Sequence, residues 1–280
     1  MADPTLYLPP ELSETTAAYH TLYVTTFLSQ FATELKPAQP TEPNVRDNTR
    51  VPTPLIVSFD ASEDNPIHHE FILFQKAQGV SVDTIFDSLD DAMKEFLVSQ
   101  LTDYLIELHQ HGWNHAGGLS IDLTGKVVPS QVVAENFWQA AEIVEYWGPD
   151  EIVDSLNPKG PFNTYTSYAK GHINQYIRNI STHDSLEWMR DLIPRLVAFS
   201  SMLDLRADEL NDTRYILTQK DLHFGNVICD PTTARITAIL DWEFAAVLPL
   251  PLWNPGNCFL WNSRNTQERI AEQKRFKKVF

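Results

Sequence analysis

The pattern of apolar and polar positions along the chain predicts several helices. The clearest covers residues 90–111, where apolar side chains share one face and Gly112 follows as a C-cap. Similar spacing predicts helices over 165–181 and 183–203. Residues 11–36 also carry apolar positions at helical spacing between prolines, and we expect a helix there, although their threonines also suit a strand.

Short apolar runs bounded by turn residues predict strands. Residues 55–59 and 70–76 form one predicted pair, residues 117–133 form a small hairpin, and residues 227–229 with 235–240 form another hairpin. Because helices and strand hairpins both occur, the predicted fold class is α+β.

These elements divide into two predicted lobes. Residues 1–79 would form a reduced N-terminal lobe of one helix and a β-hairpin, and residues 80–280 would form a mainly helical C-terminal lobe. A chain of 280 residues with 43% hydrophobic positions is long enough to bury cores of that size.

Composition narrows the range of partners and locations. The net charge is −16 and the pI is near 4.8, so electrostatics exclude a nucleic-acid binder, which needs clustered Lys and Arg. The acidity suits a cationic substrate and equally a generic acidic surface.

Cys229 and Cys258 have neither metal-ligand spacing nor the density of a disulfide scaffold, which favours a reducing cytoplasm. We expect no signal peptide and no membrane span, because residues 19–35 are too polar to cross a bilayer.

The densest candidate chemistry lies between residues 219 and 243. Asp221 stands five residues before Asn226, and Asp241 follows the apolar run of the second predicted strand. Transfer of a phosphoryl group from ATP needs a carboxylate to accept the hydroxyl proton and oxygen ligands for Mg²⁺. Asp221 suits the first role, and Asn226 and Asp241 suit the second. The alternative is a polar turn between two strands, which any one of these residues taken alone would favour.

The quoted residues resemble a known family. Asp-Leu-His-Phe-Gly-Asn at 221–226, followed by Leu-Asp-Trp-Glu at 240–243, is similar to the motifs of the aminoglycoside phosphotransferase family, which includes choline kinase-like small-molecule kinases. Residues 49–80 resemble the last two strands and the hinge of that family's small lobe, and the resemblance covers about residues 44–262. It implies a bilobal protein-kinase-like fold that uses ATP and Mg²⁺.

The resemblance also implies roles for single residues. Asp221 would be the catalytic base, and Asn226 and Asp241 the metal ligands. The backbone of Gln75, Lys76 and Ala77 would contact the adenine ring of ATP. His223 would lie near the acceptor or a phosphate, or else hydrogen-bond its own loop.

The sequence departs from the family pattern in its first part. Gln219 replaces the usual His two residues before the base, and the first glycine is Gly79, so no glycine-rich phosphate loop precedes the hinge. Lys36 is the one lysine before Lys76, and it does not lie in an apolar strand. Neither Glu34 nor Glu42 occupies the position of the family's Lys-pairing Glu.

Two functions therefore remain open. The first is an ATP- and Mg²⁺-dependent phosphotransferase acting on a hydroxyl group of a small molecule. The second is a catalytically inactive pseudokinase that serves as a scaffold for a ligand or protein, because losing the phosphate loop and lysine costs on the order of 10³-fold or more in rate. A protein kinase fits less well, since Asp-Trp-Glu at 241–243 replaces Asp-Phe-Gly.

Overall fold

The structure is a computed structural model. It describes residues 21–23, 45–46, 48–60, 64–69, 71–121, 127–134, 137, 139–259 and 266–278. The strands are β1 Thr21–Tyr23, β2 Ile56–Asp60, β3 Phe71–Phe74, β4 Val80–Ser81, β5 Gly118–Ile121, β6 Val127–Ser130, β7 Tyr215–Thr218, β8 Val227–Cys229, β9 Ile236–Ile239 and β10 Ala246–Pro249. The α-helices are α1 Val82–Ile85, α2 Asp91–Gln110, α3 Ala140–Trp147, α4 Val153–Leu156, α5 Tyr165–Thr182, α6 Ile193–Leu205, α7 Ala207–Leu210, α8 Pro255–Phe259 and α9 Gln267–Phe276.

The first sheet has the strand order β1-β3-β2, and both pairs are antiparallel. The β2–β3 pair confirms the strands expected over 55–59 and 70–76. The helix expected over 11–36 is wrong at Thr21–Tyr23, which pairs with β3. An extended segment there satisfies the backbone groups on the edge of β3, which outweighs a helical pattern in a stretch rich in β-branched residues.

The second sheet has the strand order β4-β8-β9 and contains the predicted hairpin of residues 227–240. Strand β4, which follows the first sheet in the chain, pairs with β8 of this hairpin. Gly79 makes this junction possible. Its φ is +117°, and a Cβ there would lie 2.2 Å from the backbone oxygen of Cys229. Only glycine permits both that conformation and that close approach.

Helix α2 forms the centre of the main hydrophobic core and confirms the helix expected over 90–111. Asp90 caps it by accepting a 2.8 Å hydrogen bond from the N–H of Met93. Its buried apolar side chains are Leu97, Val98, Leu101, Leu105 and Leu108. They pack in one cluster with residues of β7, β8, β9 and β10, so the strands that flank the motif residues rest on this helix.

The other predicted elements are present with one change. β5 and β6 form the hairpin expected over 117–133, and α5 corresponds to the helix expected over 165–181. The helix expected over 183–203 is instead a 3₁₀ segment, Asp184–Leu192, followed by α6. Pro194 lies in the first turn of α6, where its missing N–H is tolerated, and a new helix therefore begins there.

The α+β class is thus confirmed, with a small sheet in the N-terminal part and a mainly helical C-terminal part. The lobe boundary at residue 79 stays a prediction. In the described ranges, no helix is both long and apolar enough to cross a membrane.

Candidate active site

The loop that follows β7 carries Asp221 and Asn226, and the side chains of these two residues are hydrogen-bonded to each other. The four residues of β7 are buried, which fixes the start of this loop. The Nδ2 group of Asn226 donates to Oδ2 of Asp221 at 3.0 Å and to its backbone oxygen at 2.9 Å. Asp221 remains 38% exposed, and its Oδ1 has no hydrogen-bond partner in the described part of the chain. The amide therefore orients a carboxylate whose second oxygen is open to a ligand.

His223 lies within the same loop and faces Asp221. Its Nδ1 accepts a 3.0 Å hydrogen bond from the N–H of Gly225, and its Nε2 is 3.5 Å from Oδ2 of Asp221. Because Nδ1 is an acceptor, the neutral ring carries its proton on Nε2. The histidine thus hydrogen-bonds its own loop, which was one of the two expected roles. Its approach to an acceptor or phosphate stays a prediction.

Asp241 follows β9 in a left-handed backbone conformation with φ of +61°. Three hydrogen bonds hold this turn against the loop that carries Asp221. The N–H of Leu240 donates to the oxygen of Asn226 at 2.8 Å, and the side chain of Gln219 donates to the backbone oxygens of Leu240 and Asp241 at 3.0 and 2.7 Å. The structure therefore brings Asp221, Asn226 and Asp241 together.

Gln219 is a site residue whose role the sequence reasoning missed. The sequence presents it as a departure from the family's usual His, and the loss of that His would weaken support of the loop. Gln219 is only 1% exposed, and its amide supplies N–H donors to the backbone beside Asp241. The available signal was that Gln, like His, is a hydrogen-bond donor.

The electrostatics of the site suit a divalent cation. The pKa of Asp241 is raised because burial removes water from the carboxyl group and because the negative charge of Asp221 opposes its ionisation. His223 and the amide of Asn226 act in the opposite direction but do not outweigh these effects. A bound cation would relieve the repulsion between the two carboxylates.

The donor set fits Mg²⁺ in particular. Asn226 uses Nδ2 toward Asp221, which leaves its oxygen for a cation beside the Asp241 carboxylate. Mg²⁺ is usually held by one or two carboxylates, with phosphates and water completing the shell. In the described ranges, no group of three or more His, Cys, Asp or Glu side chains is placed to hold a metal without such help.

The predicted hinge lies between β3 and β4. The N–H of Gln75 donates to the oxygen of Leu55 at 2.7 Å. Within the described residues, no backbone hydrogen bond engages Lys76 or Ala77, so their polar groups are open to a ligand. The hydroxyl of Thr237 on β9 donates to the oxygen of Gln78 at 2.5 Å, which ties the end of the hinge to the hairpin that leads to Asp241.

The sequence offers no residue that fits the family's phosphate-binding Lys or the Glu that pairs with it. Lys36, Glu34 and Glu42 lie outside the described residues. His109, His111 and His115 lie near the end of α2, and among the described residues they form no group placed to hold a metal ion.

Comparison with family models and with curated proteins gives no match to the sequence. Solved structures are similar. A thermostable mutant of aminoglycoside phosphotransferase APH(4)-Ia, in its apo form, is 17% identical over 91% of this chain and 69% of its own, with a TM-score of 0.48. Aminoglycoside phosphotransferase APH(3'')-Id from Streptomyces rimosus ATCC10970 is 13% identical over 86% of this chain and 77% of its own, with a TM-score of 0.43.

A glucosamine kinase is 11% identical over 88% of this chain and 57% of its own, with a TM-score of 0.39. The chain thus spans between 57% and 77% of the length of these three proteins. APH(4)-Ia and APH(3'')-Id have also been solved with ADP together with hygromycin B and streptomycin, respectively. These three solved structures are two aminoglycoside phosphotransferases and a glucosamine kinase, and at these scores the function of this chain has to be inferred from its own site.

Proposed function

We propose that this chain is an ATP- and Mg²⁺-dependent phosphotransferase that acts on a hydroxyl group of a small molecule. One observation carries the proposal: Asn226 hydrogen-bonds Asp221 while the charge of Asp221 raises the pKa of Asp241. A base, an amide and a second carboxylate thus meet in one partly exposed place. A simple polar turn gives no reason for two carboxylates to be held close enough to repel each other.

Asp221 is the proposed catalytic base. As the acceptor oxygen bonds to the γ-phosphorus and the bond from phosphorus to the leaving ADP oxygen breaks, the hydroxyl proton passes to the Asp221 carboxylate. The hydrogen bonds from Asn226 orient that carboxylate, and its exposure gives the acceptor access. His223, with Nε2 beside the same carboxylate, is placed to contact the acceptor or the transferred phosphate.

Asn226 and Asp241 are the proposed metal ligands. When bound, Mg²⁺ would neutralise charge on the β- and γ-phosphates. Gln219 fixes the backbone of Asp241, so the carboxylate is presented from a rigid turn. Gln75, Lys76 and Ala77 are the proposed contacts of the adenine ring, because the backbone groups of the last two have no partner in the described residues.

The acceptor is proposed to be a small molecule that carries a hydroxyl group. A net charge of −16 favours acceptors that also carry an amine, by attraction of cations to an acidic surface. A nucleic-acid or membrane partner is not proposed, and a cytoplasmic location stays a prediction.

A catalytically inactive scaffold is the second candidate, and a specific feature favours it. The first glycine of the sequence is Gly79, and Lys36 is the one lysine that precedes Lys76. A site with no backbone loop or lysine on the phosphates would lose charge compensation in the transition state. Such a chain could still bind a nucleotide or a partner.

The two candidates differ in turnover. Purified protein should transfer phosphate from ATP to a member of a panel of hydroxylated amines and sugars only when Mg²⁺ is present. Asp221→Asn should lower kcat by about 10²- to 10⁴-fold without lowering the thermal midpoint, because it also removes the charge that opposes ionisation of Asp241. Asp103→Asn, at an exposed position on α2, is the matched control and should behave as the wild type. Full activity of Asp221→Asn would exclude this residue as the base, and nucleotide binding without any turnover would favour the scaffold.

A further inference from the structure

The side chain of Phe224 anchors the base-bearing loop, the loop that carries Asp221 and Asn226, in the hydrophobic core. Phe224 lies between Asp221 and Asn226 in the sequence, and its ring is placed between Phe86 and Phe259, with centroid distances of 4.3 and 4.8 Å. All three rings are buried. The backbone oxygen of Phe224 also accepts a 3.1 Å hydrogen bond from the hydroxyl of Ser81. Phe86 and Ser81, which make two of these contacts with Phe224, both belong to the short segment 81–86 that follows the hinge.

This anchoring fixes the positions of both flanking side chains. Phe224 is three residues after the proposed base and two residues before the proposed metal ligand. The intervening turn is a 3₁₀ segment, Phe224–Asn226, with a hydrogen bond of 3.0 Å from the N–H of Asn226 to the oxygen of His223. A shift of the Phe224 ring would therefore move Asp221 and Asn226 with it.

Phe86 also contacts α9 and two cations, Lys94 of α2 and Arg269 of α9. Phe276 on α9 packs edge-on at a centroid distance of 6.3 Å. The ammonium of Lys94 lies 4.9 Å from the centroid of the Phe86 ring, and the guanidinium carbon of Arg269 lies 5.9 Å from it. Lys94 is only 7% exposed. Two cations on the face of one buried ring hold it in place by cation–π attraction.

Ion pairs fasten α9 to the segment that carries Phe86 and to the start of α2. Lys94 donates to Glu272 at 2.7 Å, Arg269 pairs with Asp87 and donates to Glu272 at 2.6 Å, and Arg275 donates to Asp91 at 2.8 Å. The Lys94–Glu272 pair has little exposure on either side, so solvent screens it weakly. Glu272 thus neutralises both cations that lie over Phe86.

We infer that Phe86 is a positioning residue for the base-bearing loop, and that α9 sets the position of Phe86. Docking of α9 then controls how well Asp221 and Asn226 are aligned. Nucleotide binding at the hinge depends much less on the docking of α9. The hinge is instead held by the packing of Gly79 on β8 and by the hydrogen bond from Thr237 of β9. The inference rests on the proposed phosphotransferase function for its kinetic consequence, but the physical linkage can be tested separately.

The kinetic test uses Phe86→Leu, which keeps the site apolar and removes the ring. We expect kcat to fall by about 10- to 100-fold, because a misplaced catalytic group costs a factor of that order. The Kd for ATP measured without Mg²⁺, which does not involve Asn226 as a metal ligand, should change by less than about threefold. Phe137→Leu is the matched control. Phe137 also pairs with an aromatic ring, Trp147 at 5.5 Å, but in a separate cluster with Ile143 and Leu156. Its substitution should lower stability without this split between kcat and Kd.

The structural test is hydrogen exchange of the backbone amides of residues 221–226. In Phe86→Leu these amides should exchange about tenfold faster, while amides of α5 keep their wild-type rates. Glu272→Gln provides a second variant that leaves every ring in place. It should produce the same change in the same amides to a smaller degree, and the double variant should add little to Phe86→Leu alone, because both act through one contact.

The outcomes separate this inference from the proposed function. Unchanged exchange of residues 221–226 in both variants would overturn the linkage, whatever the activity. Faster exchange of these amides together with a tenfold or larger fall in kcat would support it fully. If the wild type phosphorylates no acceptor, the phosphotransferase proposal fails, and the exchange result still decides whether α9 holds the loop through Phe86.

Discussion

The side-chain amide of Gln219 donates a 2.7 Å hydrogen bond to the backbone oxygen of Asp241, and a second bond of 3.0 Å to the oxygen of Leu240. Asp241 has a φ of +61°, a conformation that costs free energy in a residue other than glycine. The buried amide offsets that cost by satisfying two carbonyl oxygens at the turn. These hydrogen bonds link the end of β7, which Gln219 follows, to the end of β9, which Asp241 follows.

Replacing Gln219 should therefore weaken both the fold and the site. In Gln219→Met the side chain keeps its length but cannot donate, which leaves two backbone oxygens without their partner. We expect the free energy of unfolding to fall by about 1–3 kcal/mol, measured by urea denaturation. Mg²⁺-dependent ATP affinity should also fall, because Asp241 loses its fixed orientation.

Gln175→Met is the control for that variant. Gln175 also donates two hydrogen bonds, to the oxygen of Ser155 at 2.7 Å and to Oδ1 of Asn179 at 3.0 Å, but it lies on α5. Its loss should lower stability and leave ATP affinity unchanged. Equal losses of affinity in the two variants would show that Gln219 has no specific role at the site.

Gly79 gives a sharp test of the junction between hinge and hairpin. An alanine there must adopt a φ of +117° and place its Cβ 2.2 Å from the oxygen of Cys229. We expect Gly79→Ala to lower the free energy of unfolding by about 3 kcal/mol or more, since backbone strain and a steric clash add.

Gly112→Ala is the matched comparison for Gly79→Ala. A Cβ at Gly112 would meet no atom within 4 Å, and the residue has no positive φ. It lies two residues after the end of α2, whose C-cap is His111 and not Gly112 as the sequence suggested. Chemical denaturation of this variant should give a stability close to that of the wild type. A Gly79→Ala protein as stable as Gly112→Ala would mean that the hinge does not pack on β8 as described.

The raised pKa of Asp241 predicts a pH dependence of stability. A carboxyl group with a higher pKa in the folded state binds its proton more tightly there than in the unfolded chain, so its ionisation destabilises the fold. This contribution is absent well below the ordinary pKa of 3.8 and grows as pH rises through the raised pKa. In metal-free buffer, Asp241→Asn should therefore have a higher thermal midpoint than the wild type at neutral pH.

The difference between Asp241→Asn and the wild type should shrink as pH is lowered toward 4, which scanning calorimetry over a pH series would measure. Asp103→Asn is again the control, because that carboxylate lies at an exposed position on α2. A lower midpoint for Asp241→Asn at neutral pH would contradict the repulsion between Asp221 and Asp241.

The sequence was sufficient to predict the elements whose signal is local. Helix α2 and the β8–β9 hairpin have clear periodicity and turn residues. Asp221 and Asn226 lie in the loop before that hairpin and Asp241 lies just after it, at a spacing that the chemistry explains. The strand at Thr21–Tyr23 was not predicted, because it exists through pairing with β3, far along the chain. Tertiary pairing of this kind overrides local propensity.

The supporting contacts of the site were also beyond prediction. Phe86 and Phe224 meet across a large sequence separation, and no local pattern in either segment indicates the contact. The role of Gln219 depends on the left-handed turn at Asp241, which a sequence with no glycine at that position does not suggest.

Binding of ATP with Mg²⁺ tests the central claim most directly, and it is measured as a shift in thermal midpoint for the wild type and for Asp241→Asn. A ligand at a hundred times its Kd stabilises the folded state by about 2.7 kcal/mol. The account predicts an upward shift in the wild type that requires both ATP and Mg²⁺ and that is lost in Asp241→Asn. No shift in the wild type at millimolar nucleotide, or an equal shift in both proteins, would contradict a Mg²⁺–ATP site formed by Asn226 and Asp241.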